Sequence, residues 1–193
     1  MRPHPAVADL AIALLGQAPS ELPHALVVLS GLPGSGKSCF AHRIAERTGL
    51  PLVSSDDVRR RLIATRTYSA GESALVYDTC RRIVEVALRA GGGAVVDATN
   101  LREQTRRDWK SLADRWEAVF ALVMTHASQD VTSRRLAKRT IEPDPAHSEA
   151  TYEVYERLRP TMQPTRLHHV DVDTEAGVEE AVDRVIALVR HGH

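Results

Sequence analysis

The sequence predicts an α/β fold in which a parallel sheet of about five strands carries helices on both faces. Short apolar runs of strand length alternate with longer segments of helical periodicity along the chain. The strand segments are uninterrupted apolar runs, which is typical of parallel strands buried on both faces. A chain of 193 residues with 43% hydrophobic residues is also long enough to bury such a core in one domain.

The first elements are a strand at Ala25–Ser30, a glycine-rich loop and a helix over residues 40–47, for which Gly49 is the predicted C-cap. A short strand is predicted at Leu52–Ser54. Residues 55–57 then predict the start of a helix, because their acidic side chains suit the positive end of the helix dipole. The remaining predicted strands are residues 94–96, 119–124 and 169–172, and the remaining helices are 73–90, 102–116, 131–139, 148–158 and 178–189.

Composition excludes several classes of protein. Equal numbers of basic and acidic side chains, 25 of each, argue against a protein that coats nucleic acid non-specifically. No apolar run of about 18 residues occurs, so we expect no membrane helix and a cytoplasmic location. Two cysteines, Cys39 and Cys80, provide neither a disulfide framework nor a zinc site, and we expect Cys39 to be a buried, inert thiol.

Residues 31–38 match the phosphate-binding motif G-x-x-x-x-G-K-[ST]. The motif follows an apolar strand and begins a helix, so backbone N–H groups and the helix N-terminus face the same phosphates. Lys37 is predicted to reach the β- and γ-phosphates, and the Ser38 hydroxyl to ligate Mg²⁺. The sequence therefore predicts a P-loop NTPase fold that binds ATP through Pro33, Gly34, Ser35, Gly36, Lys37, Ser38 and Cys39.

Carboxylates are also predicted at the ends of the second and third strands, on the same sheet edge as the P-loop. Asp56 and Arg59 share a helix face, which suits a carboxylate that receives an acceptor hydroxyl beside a guanidinium that holds the acceptor's anionic group. Asp97 can hold a water of the Mg²⁺ shell, and Thr99 and Asn100 can bind a phosphate or the acceptor. The alternatives are a helix start with a surface arginine for the first pair and a turn cap for the second group.

Arg135 and Arg139 lie four residues apart on one predicted helix, just before a stretch broken by two prolines at residues 140–147. Two aligned arginines on a helix that closes can neutralise charge that develops on a transferred phosphoryl group. A solvated basic face is the alternative interpretation. We therefore predict a helical lid at about residues 130–160 within a domain of residues 25–193, preceded by a helical extension of residues 1–24.

These segments, in this order, resemble the P-loop kinases related to the 5′-kinase domain of phage-type polynucleotide kinase and, more widely, the AAA_33 family of small bacterial kinases. The resemblance covers roughly residues 26–173. It implies that Asp56 contacts the attacking hydroxyl and that Arg59 holds an acceptor 3′-phosphate. It also implies roles for Arg135 and Arg139 in the lid, for Thr99 and Asn100 in the substrate site, and for Asp173 in the nucleotide site.

Two positions depart from the pattern of the family. Cys39 stands where the family usually has a threonine, which removes a hydroxyl near the α-phosphate but keeps the backbone donor. Asp97 lies one residue earlier than the corresponding aspartate of the phage enzyme, which leaves open whether it is a metal-shell or an acceptor contact.

The expected reaction is the Mg²⁺-dependent transfer of the γ-phosphoryl group of ATP to a hydroxyl. Three hypotheses are open: a polynucleotide 5′-hydroxyl, a small-molecule hydroxyl such as that of a nucleoside, nucleotide sugar or antibiotic, and a module that binds nucleotide without transfer. The order of the motifs favours the polynucleotide, whereas charge neutrality and an aromatic content of 4% weaken it.

Overall fold

The computed structural model describes residues 24–141 and 150–191. Its sheet has five strands, all parallel, in the order β2-β3-β1-β4-β5, which confirms the predicted fold class. The predicted helical extension lies outside the described residues apart from its last residue, His24. The strands are β1 (Ala25–Ser30), β2 (Leu52–Ser54), β3 (Ala94–Asp97), β4 (Val119–His126) and β5 (Val170–Asp173).

The helices connect successive strands, as the alternation predicts. In the described residues they are α1 (Lys37–Thr48), α2 (Ser55–Leu62), α3 (Ala70–Arg89), α4 (Glu103–Arg115), α5 (Gln129–Ile141), α6 (Tyr152–Leu158) with a 3₁₀ turn (Arg159–Thr161), and α7 (Glu179–His191). None of these helices is long and apolar enough to cross a bilayer.

Local side-chain chemistry explains where the helices begin and end. Helix α3 begins three residues before the predicted position because the Ser69 hydroxyl accepts a hydrogen bond from the Glu72 N–H. Helix α1 ends where predicted, because Gly49 adopts a left-handed φ of 73° that few other residues tolerate. The predicted loop at residues 140–147 falls outside the described residues, except that α5 continues to Ile141.

The core has two layers, one on each face of the sheet. The central strand β1 contributes to both, and its six residues are all buried. Leu26 and Val28 pack with apolar side chains of α3 and α4 on one side of the sheet. Val27 and Leu29 pack with α1 and α7 on the other side. Because β1 lies between β3 and β4, its carboxyl end opens at the middle of the sheet edge, where ligands of such folds bind.

Candidate active site

The loop after β1 forms a ring of free backbone donors. The N–H groups of Gly34, Gly36, Lys37 and Ser38 have no hydrogen-bond partner in the part of the chain that the structure describes. Ser35 faces the other way, where its hydroxyl lies 2.8 Å from Thr125 Oγ1 of β4. Successive free N–H groups at a helix N-terminus form a site for an anion, so the residues fit the phosphates of a nucleotide.

Close packing around this loop requires glycine. Gly34 and Gly36 have φ values of 80° and 88°, in the left-handed region. A Cβ atom on Gly34 would lie 2.8 Å from Thr132 Cγ2, and one on Gly36 would lie 2.9 Å from Thr174 Cγ2. Helix α5 and the residue after β5 therefore support the loop from behind.

Lys37, Ser38 and Asp97 come together beneath the loop. Lys37 is buried, and its Nζ donates to the Leu32 carbonyl oxygen at 2.9 Å. Burial lowers the pKa of Lys37, and the charges of Asp97 and Asp56 act in the opposite direction. Burial raises the pKa of Asp97, while the Lys37 charge and a hydrogen bond from Ser38 lower it.

The donors at this point fit Mg²⁺. Hydroxyl and carboxylate oxygens are the ligands that this ion prefers, and Ser38 and Asp97 supply one of each. The described residues contain no group of three or more histidine, cysteine or acidic side chains that could hold a metal ion by themselves. A magnesium ion bound here would therefore take its other ligands from phosphates and water, as it does in nucleotide sites.

A cleft of about 500 Å³ opens above the P-loop. Asp56, in the first turn of α2, lines it, whereas the adjacent Asp57 is exposed and forms an ion pair with Arg60. The charge of Asp56 acts on Lys37 and on Arg139, so these three groups lie within electrostatic reach of one another. The structure thus brings together the P-loop lysine, which follows β1, and a carboxylate that follows β2.

Arg59 also lines the cleft, but its charge is already paired. It is 8% exposed, forms an ion pair with Glu72 of α3, and lies 4.7 Å from the centre of the Tyr68 ring. Glu72 accepts further hydrogen bonds from the N–H groups of Thr67 and Tyr68, at 2.8 and 3.0 Å. Burial alone would raise the pKa of Glu72, but the hydrogen bonds from Arg59 and Thr67 hold that pKa at about 2.

Thr99 and Asn100 have different environments. Thr99 lines the cleft, with its hydroxyl 3.5 Å from Tyr77 OH. Asn100 is fully buried, where its Nδ2 donates to the Leu29 carbonyl oxygen at 2.6 Å and its Oδ1 accepts from Trp109 Nε1 at 3.0 Å. Because both ends of its amide are used, Asn100 supports the β3–α4 turn and is not available to an acceptor, contrary to the sequence prediction.

Arg135 and Arg139 share a helix face but contact different groups. Arg135 donates to the Gly34 carbonyl oxygen at 3.2 Å and to both oxygens of Thr174, which joins α5 to the P-loop and to the end of β5. Arg139 lines the cleft. Burial and the Arg135 charge lower the pKa of Arg139, whereas Asp56 raises it.

Two other sequence-predicted residues, Cys39 and Asp173, are not among the residues that line the cleft. Cys39 is exposed, so the prediction of a buried thiol is wrong, because its position in the first turn of α1 faces away from the core. Asp173 is also exposed, and its Oδ1 accepts from the Glu175 N–H at 2.9 Å. The neighbouring Thr174, which the sequence does not distinguish, is the residue that contacts the P-loop, through the Ser35 carbonyl oxygen at 3.0 Å.

Arg106 has a structural role that no motif or periodicity in the sequence indicates. This arginine is fully buried, and it donates to the carbonyl oxygens of Asn100 and Leu101, both at 3.0 Å, and to that of Gln163 at 2.6 Å. In the sequence it is one of several arginines that follow β3, and its neighbour Arg107 is exposed. Its contacts tie the segment after the 3₁₀ turn to the start of α4, which forms one wall of the cleft.

Two known proteins are similar in sequence to this chain. An uncharacterized protein of Mycobacterium tuberculosis is 28% identical over 201 residues, which cover 96% of this chain and 39% of that protein. The chain therefore spans about two fifths of the length of this relative. Cytidylate kinase of Aeropyrum pernix is 33% identical over 120 residues, which cover 58% of this chain and 63% of the enzyme.

A solved structure and a family model agree with the fold. The structure of the Mycobacterium tuberculosis APS kinase in complex with AMPPNP and APS has a TM-score of 0.63 and 20% identity, over 88% of this chain and 99% of that one. The model of the AAA_33 family, described as an AAA domain, matches residues 26–165, which include the P-loop and the lining of the cleft. Because this match spans more than half of the chain, the protein belongs to the AAA_33 family.

Proposed function

We propose that this protein is an ATP-dependent phosphotransferase that moves the γ-phosphoryl group of ATP to a hydroxyl. The observation that carries the proposal is that Asp56 lines the same cleft as Lys37 and Arg139, with its charge acting on both. Asp97 can serve the binding of Mg²⁺ with the nucleotide, but a site that only binds nucleotide has no need of a second carboxylate, Asp56, near the same lysine. Two relatives, the cytidylate kinase and the APS kinase, are kinases, which supports the same class of reaction.

In the proposed reaction the free N–H groups of the P-loop bind the phosphates, and Lys37 and Arg139 neutralise charge on the γ-phosphoryl group. Asp56 orients the acceptor hydroxyl and takes its proton as the new O–P bond forms and the bond to ADP breaks. Arg135 keeps α5 against the P-loop and so positions Arg139. Mg²⁺ at Ser38 and Asp97 supplies further charge neutralisation to the phosphates when it is bound.

We propose a small-molecule hydroxyl as the acceptor. In the polynucleotide kinases that the sequence resembles, the arginine at the position of Arg59 holds an acceptor phosphate. Here Glu72 neutralises Arg59, and this arginine is nine-tenths buried. A paired, buried guanidinium offers little attraction to a nucleic-acid backbone. The relatives named for cytidylate and for APS agree with a small acceptor.

A polynucleotide 5′-hydroxyl is the second candidate acceptor. This acceptor is favoured because Asp56 and Arg59 both line the cleft. The polynucleotide kinases that the sequence resembles have the same pair of residues at the same spacing. A nucleotide-binding module that transfers nothing is the third hypothesis, and it gives Asp56 no role.

Label transfer from γ-labelled ATP distinguishes the three hypotheses. The enzyme, with Mg²⁺, is incubated with a 5′-hydroxyl oligonucleotide or with a pool of small hydroxyl metabolites. We expect label in small molecules. Label only in the oligonucleotide would favour the second candidate, and binding of ATP with no transfer to either would favour the third.

Asp56→Asn tests the role of the carboxylate. The change removes the proton acceptor, so we expect kcat to fall on the order of 100-fold or more, while the Kd for ATP, measured by calorimetry, stays nearly the same. Asp57→Asn is the matched control, because its exposed side chain is paired with Arg60 outside the cleft. Normal turnover of the Asp56→Asn enzyme would remove Asp56 from the reaction.

A further inference from the structure

The charged side chains that line the cleft differ in whether a side chain of opposite charge lies near them. The only carboxylates among the described lining residues are Asp56 and Asp97, and both act on Lys37. Both also act on Arg139, so the two carboxylates face the two cations of the nucleotide site. At this end of the cleft the negative and positive side chains balance.

Arg59 contributes no free charge to the cleft. Glu72, with a pKa of about 2, is ionised at neutral pH, and its side chain is 6% exposed. The Arg59 guanidinium therefore always has an anionic partner close by, and it also stacks on Tyr68. A charge that is neutralised in this way attracts a second anion only weakly.

Two arginines in the lining have no such partner. Arg102 immediately precedes α4, Arg157 lies in α6, and both line the cleft. Neither side chain forms an ion pair or a hydrogen bond with any residue that the structure describes. Both are exposed, and the described lining residues include no carboxylate other than Asp56 and Asp97, which act on Lys37 and Arg139.

The two arginines stand on walls that are fixed to each other. The Gln163 N–H donates to the Leu101 carbonyl oxygen at 2.9 Å, and Gln163 Oε1 accepts from the Glu103 N–H at 2.9 Å. Arg106 adds its hydrogen bond to the Gln163 carbonyl oxygen. These contacts join the segment after α6 to the residues on either side of Arg102, so the backbone that carries one arginine is tied to the segment that follows the other.

We propose that the acceptor is a small hydroxyl compound with an anionic group, and that Arg102 and Arg157 bind this group. The proposal rests on the proposed function, because it concerns the second substrate of the same cleft. Guanidinium groups bind phosphate, sulfate and carboxylate through paired hydrogen bonds. An anion held at this pair keeps the rest of the acceptor in the cleft, where a hydroxyl can reach Asp56.

Calorimetry with matched pairs of compounds tests the anion site directly. The P-loop is first filled with Mg²⁺ and a non-hydrolysable ATP analogue, so that added anions cannot bind there. The pairs are ribose and ribose 5-phosphate, glucose and glucose 6-phosphate, and adenosine and adenosine 5′-monophosphate. We expect the anionic member of at least one pair to bind at least about tenfold more tightly than its neutral partner, since charge-assisted contacts contribute at least that much.

Variants of the two arginines show whether they cause the preference. Arg102→Gln and Arg157→Gln are each expected to weaken binding of that anion, and to raise its KM as an acceptor, by about ten- to a hundredfold. Arg115→Gln is the matched control, because it removes an equal charge from the far end of α4, where Arg115 pairs with Glu85. Equal binding of both members in every pair, or wild-type affinity in both variants, would overturn the proposal.

The two proposals fail in different ways. Anion binding that depends on Arg102 and Arg157, without transfer of label to any compound, supports the anion site and contradicts phosphotransfer. Transfer of label to neutral and anionic members with equal kcat/KM supports phosphotransfer and overturns the anion site. Transfer only to an oligonucleotide, unchanged in both variants, also overturns it.

Discussion

Asp56 and Asp57 are adjacent in the sequence, yet only Asp56 lines the cleft. The reason is local. The Ser54 hydroxyl accepts from the Asp57 N–H at 3.3 Å and caps α2, which fixes the first turn of the helix and turns Asp57 toward solvent and Arg60. The capped first turn therefore holds two identical, adjacent side chains in different environments, with Asp56 in the cleft and Asp57 in solvent.

At the scale of single residues, Glu72 makes the free energy of unfolding depend on pH in the acidic range. A carboxyl group whose pKa falls from 4.5 to about 2 on folding stabilises the folded chain above pH 4.5, and this contribution is lost as the pH falls toward 2. In Glu72→Gln the contribution is absent at every pH. We therefore expect the urea midpoint of the wild type to fall more steeply than that of the variant between about pH 5 and pH 2.

Glu153→Gln is the control for this experiment. Glu153 is exposed on α6, so its removal should leave the pH dependence of the urea midpoint as in the wild type. Parallel curves for the wild type and Glu72→Gln would contradict the assignment of the low pKa to Glu72.

At the scale of elements, α5 supports the P-loop from one side and the end of β5 from another. Arg135 joins all three through the Gly34 carbonyl oxygen and Thr174. Thr132 of the same helix lies close to Gly34. Arg139 of the same helix lines the cleft, so α5 contacts both the loop backbone and the cleft. The lid around residues 130–160 stays a prediction of the sequence.

Gly34→Ala tests this packing. The new methyl group would lie 2.8 Å from Thr132 Cγ2, and alanine is strained at a φ of 80°. We expect the free energy of unfolding to fall by about 1–3 kcal/mol, with weaker ATP binding, because overpacking and backbone strain add. Urea unfolding and calorimetry measure the two effects.

Gly71→Ala is the matched control in the first turn of α3. Nothing lies within 4 Å of the added Cβ, so this change should leave the free energy of unfolding the same or raise it by up to about 1 kcal/mol. Equal stability of the two alanine variants would show that the P-loop is not packed as described.

At the scale of the whole molecule, the strand order brings the ends of β1, β2 and β3 to one sheet edge. These ends carry the P-loop, Asp56 and Asp97, which lie far apart in the sequence. Parallel pairing is what makes the three segments neighbours, since each strand ends on the same side. The site is therefore a property of the sheet and not of any one segment.

Thermal unfolding tests this arrangement in the intact protein. ATP with Mg²⁺, at about one hundred times its Kd, is expected to stabilise the fold by about 2.7 kcal/mol and to raise Tm by roughly 5–11 °C. We propose that Ser38 and Asp97 hold the ion, so removal of Mg²⁺ with EDTA should reduce the increase. In Asp97→Asn the ATP-induced increase should depend less on Mg²⁺, and an undiminished dependence would exclude Asp97 as a ligand.

The sequence by itself determined the succession of strands and helices along the chain and the P-loop. It also determined that Asp56 and Asp97 come at the ends of two strands. Each of these rests on a local signal: the period of apolar residues, a glycine turn before a helix, or an acid directly after an apolar run. Such signals need no knowledge of distant neighbours. For this reason the five strands and Gly49 at the end of α1 were predicted at or within a few residues of their observed positions.

Only the tertiary structure decided which side chains are free to act. Glu72 neutralises Arg59 across 13 residues, and Leu29 accepts the hydrogen bond from Asn100 across 71 residues. Thr174 accepts from Arg135 across 39 residues. The partners that occupy these side chains come from other elements, and no periodicity or motif records them. What a side chain is able to bind depends on which neighbours already satisfy it, and folding sets those neighbours.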